Sequence, residues 1–168
     1  MKCIKSLNFL ILRAKLPRKI GKHRGQEQQE HSNSEDDMET REINPWSWQE
    51  GFGFAHGREV SGATRILTLS GQCATDATGA PQHKGDMAAQ LALCVANLGE
   101  VLAAAGMTYA NVTGIRVLTT DMDATLANWG TLIGPFAALG HRPASTLAGV
   151  TRLFSPDLLV EVEATACA

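Results

Sequence analysis

The sequence predicts an α+β domain in which two helices lie on one face of a sheet. Three observations carry this. Residues 86–105 form one long apolar helical stripe, and short runs rich in β-branched residues lie on both sides of it. A second, weaker helical segment separates the later runs, so the order reads β-β-(β)-α-β-α-β-β.

Residues 59–61 and 66–70 are short β-favouring runs, and 62–65 between them reads as a hairpin turn. Asp76-Ala77-Thr78-Gly79 is a loop signal, followed by Ala80-Pro81. Within 86–105, Met87, Leu91, Cys94, Val95, Leu98, Val101 and Leu102 recur at spacings of three and four, which gathers them on one side of a helix. Gly106 suits the left-handed position that ends such a helix. Residues 112–120 are rich in β-branched side chains and end in Asp121-Met122-Asp123. Alternation there places Ile115, Val117 and Thr119 on one face, with Arg116 and Leu118 on the other. The second helix is expected over 124–139, interrupted by Gly130 and Gly134-Pro135 and closed by Gly140. Residues 145–153 and 158–166 are the last two strands. In the final one Leu158, Val160, Val162 and Ala164 alternate with Leu159, Glu161, Glu163 and Thr165. Two helices cover only one face of this sheet. The other face is expected to need a partner, which predicts a closed homo-oligomer.

The chain has 168 residues, the size of one domain, and its 44% hydrophobic content is enough to fill one core. Charge is unevenly spread. Residues 1–24 carry eight Lys or Arg and no acid, and 25–42 carry seven Asp or Glu against one Arg. That leaves six basic and ten acidic residues for 43–168. An acidic body lacks the basic footprint that nucleic-acid binding needs, so no nucleic-acid partner is expected. Residues 7–12 form an apolar run behind Lys2 and Lys5, but it is too short to span a membrane and no small-residue cleavage site follows. No membrane association is expected. Residues 21–42 are polar and nearly free of apolar anchors. A disordered extension is therefore expected over 1–42 and a folded domain over 43–168, with Met38 opening the stretch that leads into core-like sequence. Cys3, Cys73, Cys94 and Cys167 form no CxxC pair, and no histidine lies at metal-ligand spacing from them. Neither a metal nor a cofactor is expected; free thiols in a reducing, cytoplasmic setting are. Cys94, inside the helical stripe, reads as a core residue, whereas Cys73 and Cys167 read as partly exposed.

Several residues have the chemistry for a site. Glu161 and Glu163 put two carboxylates on one face of a late strand, where a carboxylate can orient water or take a proton. Arg142, Arg116 and Arg152 are the cations suited to gripping a small carboxylate, because guanidinium is a planar two-pronged donor. Ser70-Gly71-Gln72 ends a strand, and its glycine either lets a ligand approach the backbone closely or marks a strand-ending bulge. His56, His83 and His141 have no serine or cysteine in a nucleophile signature beside them. Trp46, Trp48, Phe52 and Phe54 form an aromatic cluster that reads as core or interface anchors, with Phe54 a candidate pocket wall.

The stretch from Phe52 to His56, the Ser70-Gly71-Gln72 triplet, the turn at Asp76 to Gly79 and the helix end at Ala103 to Gly106 together resemble the RidA/YjgF family. So do VLTTDMD from Val117 to Asp123 and the ending RPAST…VTRL…LLVEVEATA from Arg142 to Ala166. The resemblance runs from about residue 43 to the end of the chain. It implies a chorismate-mutase-like α+β fold, a mixed sheet with two helices on one face, assembled as a homotrimer. It also implies pockets at the subunit interfaces for a small imine or keto-acid-like ligand, and hydrolysis of reactive enamines or imines to keto acids and ammonia without a cofactor. In that pattern a late-strand glutamate that positions water corresponds to Glu161, a ligand-contacting glycine to Gly71, and a pocket aromatic to Phe54. The arginine expected to hold the substrate carboxylate is replaced by Ser145, with Arg142 three residues earlier. A serine cannot supply that two-pronged grip, in which each charged hydrogen bond is worth about 1.5–3 kcal/mol. The resemblance therefore carries two readings: an imine hydrolase in which Glu161 activates water, and a trimeric small-molecule binding or regulatory protein that kept the pocket. An endoribonuclease label also used in the family ranks last, because the body is acidic.

Overall fold

In the computed structural model, which describes residues 38–168, the long apolar stripe is helix α1, Met87–Ala104. Asp86 caps it by accepting from the Ala89 N–H at 3.0 Å. Gly106, at φ +70°, turns the chain so that Met107 N–H closes the end on Leu102 O at 2.8 Å. Leu91, Cys94, Leu98 and Leu102 are fully enclosed. The helix is long and apolar enough to cross a membrane by length and composition, but its apolar side is spent against the sheet. Gln90, also buried, loses no hydrogen bonds: its amide donates to His83 O and Asp157 O, and its oxygen accepts from Leu159 N–H. It thereby ties α1 to the entry of the last strand.

The element order is β1 (Glu39–Ile43), β2 (Gly57–Ser61), β3 (Ile66–Cys73), α1, β4 (Val112–Thr119), α2 (Met122–Ala127), α3 (Trp129–Ala137), β5 (Ala144–Gly149) and β6 (Val160–Cys167). The main sheet is mixed and runs β3-β6-β4-β5, with β6 antiparallel to both neighbours and β4 parallel to β5. The α+β architecture read from the sequence is the one observed. Val160, Val162, Ala164 and Ala166 of β6 and Val112, Ile115 and Val117 of β4 face the helices as the core. Their alternating neighbours Glu161, Glu163, Arg116 and Thr165 lie on the other face, which no element of the described residues covers.

Four local expectations are corrected. The turn at 62–65 does not make a hairpin: β2 pairs with β1 and β3 with β6. Gly62, at φ +68°, redirects the chain, and Thr64 and Arg65 N–H both donate to Ala168 O, which commits β3 to the end of β6. The second helix is two, so the described residues hold three α-helices, because Asn128 leaves the helical region (φ −111°, ψ 15°) while its side chain caps back onto Ala124 O. Ordered structure begins before residue 43, since β1 opens at Glu39. Its anchors are charges rather than apolar groups. Arg41 meets Glu59 at 2.7 Å, and Glu42 is shared by Arg58 at 3.6 Å and Arg142 at 3.1 Å. The rest of the expected extension, residues 1–37, lies outside the described residues. Finally, Cys73 and Cys167, the last residues of β3 and β6, are buried like Cys94 rather than partly exposed.

His141 ends the α3–β5 connection only 7% exposed, with Nε2 2.6 Å from Val112 O, so that nitrogen carries the proton and donates. Burial holds its imidazole below the usual 6.5, against the opposing pull of that hydrogen bond. The folded state thus favours neutral His141. Its contribution is complete above about pH 6.5 and is lost as pH falls toward the lower folded value, where the unfolded chain takes the proton first. The thermal midpoint is expected to fall between about pH 7 and pH 5, and to fall less steeply in His141→Gln. Equal slopes in the two proteins would refute this role.

Candidate functional site

The carboxylate expected from the last strand is held in a built position. Glu161 pairs across β3 with Cys73, whose Sγ lies 3.3 Å from Oε2 and donates to it. Burial first, and the neighbouring carboxylate second, push the Cys73 thiol well up, so it stays a protonated donor. Between Leu69 and Gln72 the β3 register slips: Ser70 and Gly71 together oppose one residue of β6. The Gln72 amide secures the bulge by donating to Ser70 O at 3.0 Å. The bulge brings the Gly71 Cα under the Glu161 side chain. A Cβ at Gly71 would overlap Oε1 and Cδ and stand 2.6 Å from Cγ. The bulge read from the sequence is present, and the group lying against this glycine is the protein's own carboxylate rather than a ligand.

A second set of residues forms an apolar groove of about 240 Å³, lined by Trp48, Phe52, Phe54, Leu126, Trp129, Ser145 and Leu147. Its walls are fixed. Trp129 Nε1 donates to Phe52 O at 2.8 Å. Gly53, at φ +72°, lets the loop lie on α3 so closely that a Cβ there would be 2.7 Å from Ile133 Cδ1. Trp48 meets Phe52 and Phe54 edge-to-face at 6.3 and 5.6 Å. His56 packs behind them against Trp46, Trp48 and Phe54.

The five candidate residues fall into three places. Phe54 and Ser145 meet in the groove, and Glu161 and Gly71 meet at the bulge. Ser145 and Leu147 are register partners of Ile115 and Val117, on the helix side of the sheet, whereas Glu161 is the partner of Leu118 on the uncovered side. Within one chain the two pairs thus occupy opposite faces. Arg142 lines neither place; it is paired with Glu42, and its carbonyl accepts from Arg58. Arg116 pairs with Glu163 at 3.1 Å on the uncovered face. The sequence reading missed Cys73, Leu126, Trp129 and Leu147. Cys73 was legible only once the β3–β6 register was known, and the other three read as ordinary helix and strand apolar positions. Among the described residues no three of His, Cys, Asp and Glu gather as a metal ion would require.

Comparison with known proteins places these features in a family. The family model described as endoribonuclease L-PSP matches residues 55–168, which includes Gly71, Ser145 and Glu161 and begins one residue after Phe54. The structure resembles that of YyfB from Yersinia pestis, a protein of unknown function of the conserved Rid family. The two are 36% identical, over 77% of this chain and 98% of that one, with a TM-score of 0.67. It also resembles the YjgF gene product of E. coli, at 25% identity over 68% and 87% of the two chains and a TM-score of 0.55. Rv2704 of Mycobacterium tuberculosis, a YjgF/YER057c/UK114 family member, shares the fold at 23% identity, over 77% and 100% of the chains with a TM-score of 0.53. No match is found among curated proteins. The chain belongs to the Rid/YjgF family, whose family model bears the endoribonuclease L-PSP description.

Proposed function

We propose that the chain assembles as a homotrimer in the cytoplasm and that its interfacial pockets hydrolyse reactive enamines and imines to carbonyl compounds and ammonia. The observation that carries this is the Glu161 carboxylate, fixed over Gly71 by a bulge and a thiol donor on a sheet face that no element of the described residues covers. The groove at Phe54 and Ser145 lies on the other side of that sheet, so a carboxylate reaches a groove only when a neighbouring subunit supplies it. Glu161 would take a proton from water as the water oxygen bonds to the imine carbon. It would pass that proton to nitrogen to give a carbinolamine, then take the hydroxyl proton and deliver it to nitrogen as the C–O double bond forms, the C–N bond breaks and ammonia leaves. An enamine enters the same sequence after tautomerising to the imine.

The test is ammonia release by the purified chain from two freshly generated imines: 2-aminoacrylate, and the imine formed when an amine oxidase acts on benzylamine. At least one is expected to be hydrolysed faster than in buffer, and Glu161→Gln is expected to lower that rate by about 10²- to 10⁴-fold. A second reading, a trimeric binding or regulatory protein without hydrolysis, is favoured by Ser145, which leaves the groove without a cation. No acceleration of either imine would select it. The endoribonuclease description belongs to the family model, and the acidic body of this chain gives it no support here.

A further inference from the structure

We infer that the groove at the β5 edge takes an uncharged, single-ring aromatic or similarly flat apolar ligand, not a carboxylate; this rests on the proposed function only in placing the ligand at the same site. Six of its seven lining side chains are aromatic or aliphatic, the rings of Trp48, Phe52, Phe54 and Trp129 together with Leu126 and Leu147, and its one hydroxyl side chain is Ser145. Among the described residues no charged one lines it. Three of the arginines are engaged elsewhere: Arg142 and Arg58 share Glu42, and Arg116 pairs with Glu163 on the opposite face of the sheet. A carboxylate entering this groove would give up water against indole and phenyl surfaces with no counter-charge in return. A neutral ring loses little and gains edge-to-face contacts of the kind the walls already make with one another.

Size and rigidity point the same way. A dry cavity of about 150 Å³ is enough to hold benzene, and this groove, at about 240 Å³, accommodates one substituted ring but not a drug-sized molecule. The Trp129 hydrogen bond to Phe52 O and the contact of Gly53 with Ile133 fix the loop wall against α3 before any ligand arrives. Such preorganisation suits a small ligand rather than a flexible peptide. The Ser145 hydroxyl gives its proton to Pro143 O at 3.3 Å, which leaves its oxygen to accept one hydrogen bond from an N–H or O–H on the ring's substituent.

Benzamide and benzoate share a shape and differ in charge, and their binding to the full-length chain tests the assignment. Quenching of Trp48 and Trp129 fluorescence and calorimetry are the readouts. Benzamide is expected to bind at least about tenfold more tightly than benzoate. Phe54→Ala should weaken benzamide binding, and Ser145→Arg should narrow or reverse the preference; Phe54→Ala alone suffices if Ser145→Arg does not fold. Benzoate binding as well as benzamide to the unaltered chain would overturn the assignment. So would failure of both probes at millimolar concentration, or benzamide binding that emerges only on dilution to single subunits, since a second copy would then be the occupant. A chain that binds benzamide but hydrolyses neither imine refutes the enzymatic reading and leaves this one standing. Faster hydrolysis of 2-aminoacrylate than of the benzylamine-derived imine does the reverse.

Discussion

Replacing Gly71 with alanine is expected to reduce imine hydrolysis to the level of Glu161→Gln while leaving a folded protein. The added Cβ would occupy the space of the Glu161 carboxyl group. Every atom it meets belongs to a side chain that can rotate, and Gly71 is not among the glycines with positive φ, so the backbone accommodates alanine without strain. The carboxylate must therefore swing away and give up the Cys73 donor. The stability cost is the lost hydrogen bond and some repacking, about 1–2 kcal/mol. The catalytic cost is the loss of a positioned base, about 10²- to 10⁴-fold in rate. Because Gly71 and Glu161 act as one unit, the double variant should be no slower than either single one. Full activity in Gly71→Ala would mean that the position of the carboxylate is irrelevant. Cys73→Ser, which keeps a donor at that place, should retain most of the rate where Gly71→Ala does not.

The second large effect is expected at Gly114, on the uncovered face. The groove there, lined by Thr68, Arg116, Thr146, Glu163 and Thr165 among others, is floored by Gly114. A Cβ at Gly114 would stand 3.6 Å from Ala144 O, an ordinary contact, and its φ is not positive. The subunit itself therefore tolerates a side chain, and a strand generally gains from replacing glycine. Gly114→Arg should leave the subunit's melting behaviour nearly unchanged and weaken assembly by more than about 100-fold, because a bulky guanidinium would be desolvated between subunits while Glu163 of the same groove is already paired with Arg116. Dilution series by light scattering would measure it. Unaltered assembly would mean that this face is not where copies meet.

The amphipathic patterns carried most of the fold. The stripe from Met87 to Leu102 and the alternation in β4 and β6 are one-dimensional signals, and they place α1, the core face and Glu161 correctly. What stayed hidden depends on pairing. The charged run at Glu39–Ile43 reads as solvated chain because its partners, Glu59, Arg58 and Arg142, are 18 to 100 residues away. The break at Asn128 is a capping choice that glycine and proline positions did not mark. At the site, the aromatic cluster and the glycine of the bulge were legible as residue types. Their division between two faces of the sheet, and the role of Cys73, follow from the β3–β6 and β4–β5 registers and from nothing local. The Arg142 guanidinium, a sequence candidate for ligand binding, is held by Glu42 of the first strand.

Both halves of the proposed site make chemical sense only if copies of this chain cover each other's open sheet faces. Sedimentation velocity on the full-length chain at micromolar concentration asks that directly. The expected result is a single species of three times the subunit mass; a well-folded lone subunit at that concentration would contradict it and remove the basis for a shared pocket.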